Sequence, residues 1–447
     1  MKTKNGRRRL RNSILYRLRG IIIPLSFLYR KYIIRHVKII AVIGSFGKTT
    51  TTRAAATALG LSPEKYQGDN NYVFLSAGLL RIPPWARFRV QEVGICEKGQ
   101  MQRNASLVRP NIVIVTSIGS EHNSSLGGLS QTRDEKAFMV RALPENGLAI
   151  LNGDDLHVRK MKDYTKAKVI TYGYGPSNDL QANYIKTDLS KGTHFSFEYG
   201  NQYHEISTKL LGKASIYSLM AAFIVAKELG LDLELVKKRL SELKPMRLRL
   251  ELVNTKTGIK LLVDTFKSAI ETVEHAMETF EALPAQRKII ILGEVEEPPE
   301  SLGKIYREIG SRISKIASHM IFIGAKRVKR PLFSAAKNSG MHEDNLIFAE
   351  RSITKAIEEA LELIKPGDLV LIKGRSSQKL DRIAIALLGE LVTCNLETCS
   401  KKLRCNSCIK INDGSPGLII EKKAANSKKK LFDNKGKDVE TIDGWFT

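Results

Sequence analysis

The sequence predicts an α/β fold in two successive units, each organised around a mainly parallel sheet, and three observations carry that expectation. The chain has 447 residues, 43% of them apolar, which is more than one hydrophobic core commonly organises and enough to build two. Short β-branched apolar runs alternate along it with helical stretches, the pattern of a doubly wound sheet. A glycine-rich turn joins the first such strand to the first such helix, a junction that suits anion binding.

In chain order, residues 1–37 come first. Residues 1 to 38 contain twelve Lys and Arg and no Asp or Glu, within a net charge of +26. The apolar run Gly20 to Tyr29 is broken by Pro24 and Ser26 and flanked by Arg17, Arg19, Arg30 and Lys31. It is about half the ~20 residues that a spanning helix needs. Aliphatic and aromatic residues interleaved with Arg suit a segment lying in a lipid headgroup layer, and a basic arm packed on the next domain is the alternative. No small-residue cleavage site follows, so a secretory signal is not expected. Such a field also draws nucleotide-linked substrates and nucleic acid, but no aromatic-basic module supports nucleic-acid binding.

Residues 38–246 form the expected central domain. Val37 to Ile43 reads as a strand, and Thr50 to Leu61, rich in Ala and Thr, as a helix. Between them lies Gly44-Ser45-Phe46-Gly47-Lys48-Thr49-Thr50, a short P-loop. Its glycines let backbone amides approach phosphate, Lys48 offers a cation to the outer phosphates, and the Thr49 hydroxyl can ligand Mg²⁺. The spacing is shorter than the eight-residue motif, whose first Gly would fall on Val42. Further strands are expected at Asn111 to Thr116, Leu148 to Leu151 and Val169 to Tyr172, short strands over 180 to 210, and a strong helix from Ser215 to Leu229.

Residues 247–392 repeat the alternation as a smaller, Rossmann-like unit. Strands are expected at Lys260 to Val263, Lys288 to Leu292, His319 to Ile323 and Leu369 to Ile372. Helices are expected at Glu271 to Leu283, Leu302 to Ile316 and Ile353 to Ile364. Residues 393–410 hold Cys394, Cys399, Cys405 and Cys408, the four thiolates that a structural Zn²⁺ requires; four free thiols are the alternative. With Cys96 the only other cysteine, a disulfide framework is not expected, and a reducing, cytoplasmic setting is. Residues 411–447 are basic and poor in apolar residues, which predicts disorder.

The loop with its run of threonines resembles that of the Mur ligases, the ATP-dependent enzymes that add amino acids to peptidoglycan precursors. Several later segments, in the same order, resemble the D-alanyl-D-alanine-adding branch. They are Gly68-Asp69-Asn70-Asn71, Glu92-Val93-Gly94, Ile118 to His122 with Lys136 following, Leu151 to Asp155, Arg249-Leu250-Glu251, Asp264-Thr265 and Lys373-Gly374. The resemblance covers roughly residues 38 to 392.

It implies an amide ligase that passes the γ-phosphate of ATP to a carboxylate and lets an amine attack the acyl phosphate. By that resemblance Lys48, Glu92, His122 and Lys136 are catalytic, with Thr49, Glu92 and His122 holding Mg²⁺ and Lys136 carbamylated as in some members or, unmodified, contacting phosphate directly. Gly44, Ser45, Gly47, Thr50, Arg249 and Asp264 join Lys48 and Thr49 in holding ATP, while Asn70, Asn71 and Lys373 face the substrates. Taken singly, Glu92 and Lys136 read as solvated charges and Asp264 as a helix cap; their order is what links them.

The pattern departs from the family at Ala214-Ser215 and Ser218, where Asn and His are usual. It departs again at Phe266 to Ile270 and at Arg375, and only about 38 residues precede the first strand, where a UDP-binding domain is usual. These departures leave open a lipid-linked substrate, a poly-γ-glutamate-synthase-like ligase, or a weakened nucleotide-binding scaffold.

Overall fold

The computed structural model describes residues 4–66, 72–121, 123–200, 202–296, 300–401, 404–408 and 411. The chain divides into two compact units, Met1–Lys244 and Pro245–Thr447.

The first unit opens with helices α1 (Lys4–Arg17) and α2 (Arg19–Leu28) and a π-helical turn, Tyr29–Ile33. Its strands are β1 (Lys38–Ile43), β2 (Phe88–Glu92), β3 (Ile112–Val115), β4 (Leu148–Asn152) and β5 (Lys168–Gly173), then β6 (Leu180–Asp188), β7 (Gly192–Tyr199) and β8 (Gln202–Thr208). They form one sheet in the order β2-β1-β3-β4-β5-β6-β7-β8, parallel through β6 and antiparallel for β7 and β8.

Five consecutive residues of β1 are buried because both faces of the sheet are covered, as parallel sheets require. Side chains alternate across a strand, so Ile40 and Val42 enter one core with helix α3 (Lys48–Ala58) and helix Lys213–Glu228. Ile39, Ala41 and Ile43 enter the other, with helix α4 (Tyr72–Leu79) and helix Leu129–Arg141.

The amino-terminal helices are fastened to this unit. Arg30 is buried and donates to the carbonyls of Ile34 at 2.6 Å, Arg109 at 2.6 Å, Val108 at 3.0 Å and Val37 at 3.3 Å, and to Asn111 Oδ1. Burial and the nearby Arg109 lower its pKa to about 10. The Tyr29 hydroxyl donates to the carbonyl of Ile82 at 2.7 Å, and Tyr16 meets Phe74 edge to face.

The second unit holds β9 (Glu251–Asn254), β10 (Lys260–Asp264), β11 (Lys288–Leu292), β12 (His319–Phe322), β13 (Leu346–Phe348) and β14 (Leu369–Lys373). The order is β13-β12-β11-β14-β10-β9, parallel except for β9. Strand β14 lies between β10 and β11, so the chain crosses over and Lys373 stands in register with both Asp264 and Leu292. Carboxyl ends of parallel strands at such a crossover form the crevice where α/β proteins bind ligands.

Pattern alone had not shown β9, β13 or the helix Lys326–Asn338. The two strands are four and three residues long at sheet edges, too short for a periodic signal, and the helix carries Pro331 in its interior. Helix α3 starts at Lys48, two residues before the expected Thr50, because left-handed Gly47 (φ 78°) turns the chain directly into it. The basic tail and its expected disorder lie outside the described residues.

Candidate active site

The turn after β1 is shaped by two glycines. Gly44 has φ 142°, and a Cβ there would sit 2.0 Å from Thr116 Oγ1, so only glycine fits. Thr116 and Ser117, at the end of β3, hold the turn from beside it. The Ser117 hydroxyl accepts from Phe46 N at 2.9 Å, its carbonyl accepts from Ser45 N at 2.8 Å, and Thr116 Oγ1 donates to the Phe46 carbonyl at 2.5 Å. The first amides of α3 have no partner within the helix and carry its positive dipole end, which makes this turn a phosphate cradle. Lys48 Nζ lies against it, donating to the carbonyls of Gly44 and Ser45 at 2.8 Å each and to Glu121 Oε2 at 3.2 Å.

Behind the loop is a buried amine. Lys136, on helix Leu129–Arg141, donates from Nζ to Ser45 Oγ at 2.8 Å, and Ser45 Oγ also accepts from Gly119 N at 2.9 Å. Burial, then the charge of Lys48, push the Lys136 pKa well below the ordinary lysine value, with Glu121 and Asp155 opposing. Asp155 is fixed in turn by the amides of Ile118, His157 and Val158.

Glu92 ends β2 beside Val42 of β1. It is buried, and its Oε2 has no hydrogen-bond partner among the described residues. A buried carboxyl oxygen without a partner can take a cation, and the Thr49 hydroxyl in the first turn of α3 is of the oxygen type that Mg²⁺ prefers. These two residues therefore fit Mg²⁺. The expected third ligand, His122, and the substrate residues Asn70 and Asn71 lie outside the described residues. Thr50 follows in the first turn of α3.

At the positions where the family carries Asn, Ser218 Oγ pairs with Thr51 Oγ1 at 2.9 Å, and Ser215 Oγ donates to the Gly212 carbonyl at 2.8 Å. Both hydroxyls are bonded inside the protein. The same helix is held by Tyr217, whose hydroxyl donates to Asp154 at 2.8 Å. Burial works against the Asp154 charge, but Tyr174 N, Gly175 N, Tyr217 and Asn178 all donate to it and its pKa falls.

In the second unit, Lys373 Nζ donates to Asp264 Oδ2 at 2.6 Å, to the Lys267 carbonyl at 2.9 Å and to Thr272 Oγ1 at 3.2 Å. Lys373 is 1% exposed. Lys373, which the resemblance places facing a substrate, is here a buried cation whose amine bonds to three protein partners, as burial of a charge demands. Its pKa is lowered by burial, against the pull of Asp264. Arg249 lies over the Phe266 ring at 4.4 Å. Arg375, where the family has Ser, donates to Glu294 Oε2 at 2.6 Å, and Arg351 and Ala325 N bind the other oxygen of Glu294.

The structure does not gather the four clustered cysteines into a zinc site. Among the described residues no three His, Cys, Asp or Glu side chains converge as metal ligands. Arg382 holds this segment instead, donating to the carbonyls of Cys394 at 2.9 Å and Leu396 at 2.6 Å and to Cys394 Sγ, while Asp381 accepts from Cys405 N.

Sequence reasoning found the loop and the residues carried by strand ends. It had not assigned roles to Thr116, Ser117 and Glu121, which reach the loop because β3 pairs with β1, or to Asp155, which follows β4 on the far side of β3 and accepts from Ile118 N; a signal was present in the hydroxyl and acidic residues closing those strands.

Family models match in order: the Mur ligase middle domain over residues 42–226 and the Mur ligase glutamate ligase domain over residues 248–376. The UDP-N-acetylmuramoyl-tripeptide–D-alanyl-D-alanine ligase of Bacillus subtilis is 27% identical over 355 residues, covering 78% of this chain and 76% of its own. The Escherichia coli protein of the same name is 22% identical over 356 residues, with 78% and 76% covered. Among solved structures, MurF from Acinetobacter baumannii superposes with a TM-score of 0.72 at 19% identity, covering 83% and 80%. MurF from Thermotoga maritima, solved in complex with ADP, gives 0.69 at 18% identity, covering 82% of each chain. With both domain models matched in sequence, and the fold shared with these structures, this chain belongs to the Mur ligase family.

Proposed function

We propose that this protein is an ATP-dependent, ADP-forming amide ligase that joins an amino acid or dipeptide to the carboxylate of a cell-wall precursor. The observation that carries the reading is the pairing of a phosphate cradle at Gly44 to Thr49 with a buried amine, Lys136, that donates to Ser45 Oγ at 2.8 Å and whose pKa burial lowers.

The reaction balances as follows. The donor carboxylate attacks the γ-phosphorus of ATP, an acyl phosphate forms and ADP leaves. The acceptor amine attacks the acyl carbon, the tetrahedral intermediate expels inorganic phosphate, and the amine proton passes to solvent. Phosphoryl transfer asks the protein for positioning and charge neutralisation more than for covalent chemistry. Lys48 supplies a cation at the loop, and the α3 amides supply donors.

Thr49 and Glu92, with His122, would hold Mg²⁺, which neutralises phosphate charge when bound. A lysine held as a neutral amine can add CO₂ to give a carbamate and a proton, and Lys136 carbamylated in that way becomes an anion suited to the same cluster. By the resemblance, Arg249 and Asp264 would contact the nucleotide from the second unit. Lys373 acts as a positioning residue, fixing Asp264.

The curated relatives act, by their names, on a UDP-muramyl tripeptide and D-alanyl-D-alanine, and a nucleotide-linked donor with a D-Ala-D-Ala acceptor is the first pair to try. A lipid-linked donor is the variant that the basic arm favours. Release of phosphate with UDP-muramyl tripeptide and D-Ala-D-Ala is the expected result. Turnover with glutamate alone would favour a polyglutamate-type ligase. ATP binding without turnover on any acceptor would overturn the enzymatic reading.

A further inference from the structure

Exposed large apolar side chains concentrate at the amino-terminal helices. Ile21, Leu25 and Leu28 are 67%, 51% and 51% exposed, and their spacing of four and three residues places them on one side of α2. Leu10, Ile14 and Leu18 are similarly exposed on and after α1. Trp85, 81% exposed, sits in the turn Arg81 to Arg87, which the Tyr29 hydroxyl ties to the π-helical turn through Ile82.

Cations surround this surface. Arg11, Arg17, Arg19, Lys31, Arg81 and Arg87 are exposed, and the first acidic residue of the whole chain is Glu64. The Arg30 bonds to four carbonyls fasten the arm to the first unit, so its apolar side is held outward by the fold.

We propose that this surface docks the protein on an anionic lipid bilayer, with α2 lying in the interface and Trp85 inserted beside it. Charge complementarity selects the occupant. Two copies meeting through this face would bring two cationic fields together, and a nucleic acid would neutralise the arginines while leaving the aliphatic side chains in water. A bilayer surface takes both: headgroup phosphates receive the arginines and the acyl boundary receives Ile21, Leu25 and Leu28. Tryptophan favours that depth. Helix α2 has ten residues, about 15 Å of helix, half a hydrocarbon core, so it lies on the membrane; among the described residues no helix is long and apolar enough to cross one.

The test uses the full chain and vesicles, and needs no turnover, so it stands apart from the ligase reading. The wild type should co-sediment with phosphatidylglycerol vesicles and far less with phosphatidylcholine vesicles. In a Trp445→Phe background Trp85 is the single tryptophan, and its emission should shift to the blue and be quenched by brominated acyl chains. The triple variant Ile21→Asp, Leu25→Asp, Leu28→Asp changes exposed positions only and should melt as the wild type does, yet lose about tenfold or more in vesicle affinity.

Absence of binding to phosphatidylglycerol would overturn the proposal. So would binding that the triple variant retains with Trp85 emission unmoved, since basic residues elsewhere would then account for it. Self-association of the wild type that the triple variant abolishes would assign the face to a second copy and overturn it too.

Discussion

Lys136 Nζ and Ser45 Oγ, 91 residues apart in sequence, lie 2.8 Å apart. The bond joins the phosphate loop to an amine whose pKa burial lowers, and it makes the loop's position depend on the helix Leu129–Arg141. If Lys136 acts as a carbamate, activity should fall when CO₂ and bicarbonate are removed and return when bicarbonate is added. Lys136→Ala should lose turnover by about two orders of magnitude or more, the scale of an electrostatic catalytic group. Unchanged rates in CO₂-free buffer, with wild-type protein, would argue that the free amine contacts phosphate directly.

The same burial predicts a pH dependence of stability. The folded state lowers the Lys136 pKa, whereas the unfolded chain keeps its proton up to about pH 10.4. Between the folded pKa and that value the unfolded state binds more protons, so raising the pH favours folding by up to about 1.4 kcal/mol per unit from this group. Lys373 adds in the same direction. Thermal melts from pH 7 to 9.5 in CO₂-free buffer should show a wild-type gain that Lys136→Met reduces; a variant with the same slope would contradict this.

Lys48→Ala removes a cation that, among the described residues, bonds to loop carbonyls and to Glu121, at 12% side-chain exposure. It should leave the melting temperature within a few degrees of wild type while ADP formation becomes undetectable. Glu92→Gln should raise the Mg²⁺ concentration needed for half-maximal rate by roughly tenfold, because an orphaned carboxylate oxygen is replaced by a neutral amide.

Gly44→Ala combines a φ of 142° with a Cβ 2.0 Å from Thr116 Oγ1. The loop must move or Thr116 must give up the Phe46 carbonyl, at a cost of about 3 kcal/mol. Denaturant unfolding should show that loss together with weakened ATP binding. Gly99→Ala, with nothing within 4 Å of the new Cβ and only the strain of a left-handed φ, should cost less.

Asp264→Ala leaves Lys373 buried with one fewer partner and should destabilise the second unit by about 3–5 kcal/mol. Adding Lys373→Met should recover much of that loss, since the stranded charge is gone. If Lys373→Met alone were as harmful as the double substitution and no recovery appeared, the pair would not be coupled.

The sequence by itself determined the parallel architecture of both units and the phosphate loop. Buried parallel-strand segments such as Ile39 to Ile43 and Ile289 to Leu292 are continuous apolar runs, and a phosphate turn must carry glycine where a Cβ would collide. Those are local demands, written in neighbouring residues.

The short edge strands β9 and β13 and the Pro-containing helix Lys326–Asn338 left weak local marks because tertiary packing stabilises them. Only the tertiary structure decided which charges are live. It buried Lys136 against Ser45 and spent Lys373 on Asp264. It turned the serines 215 and 218 inward and left one Glu92 oxygen without a hydrogen-bond partner among the described residues. It also set Cys394 on Arg382 and the Cys405 amide on Asp381. Burial and partner distance fix the charge state of a side chain, and both are set by segments far apart in the chain, which spacing within one sequence cannot express.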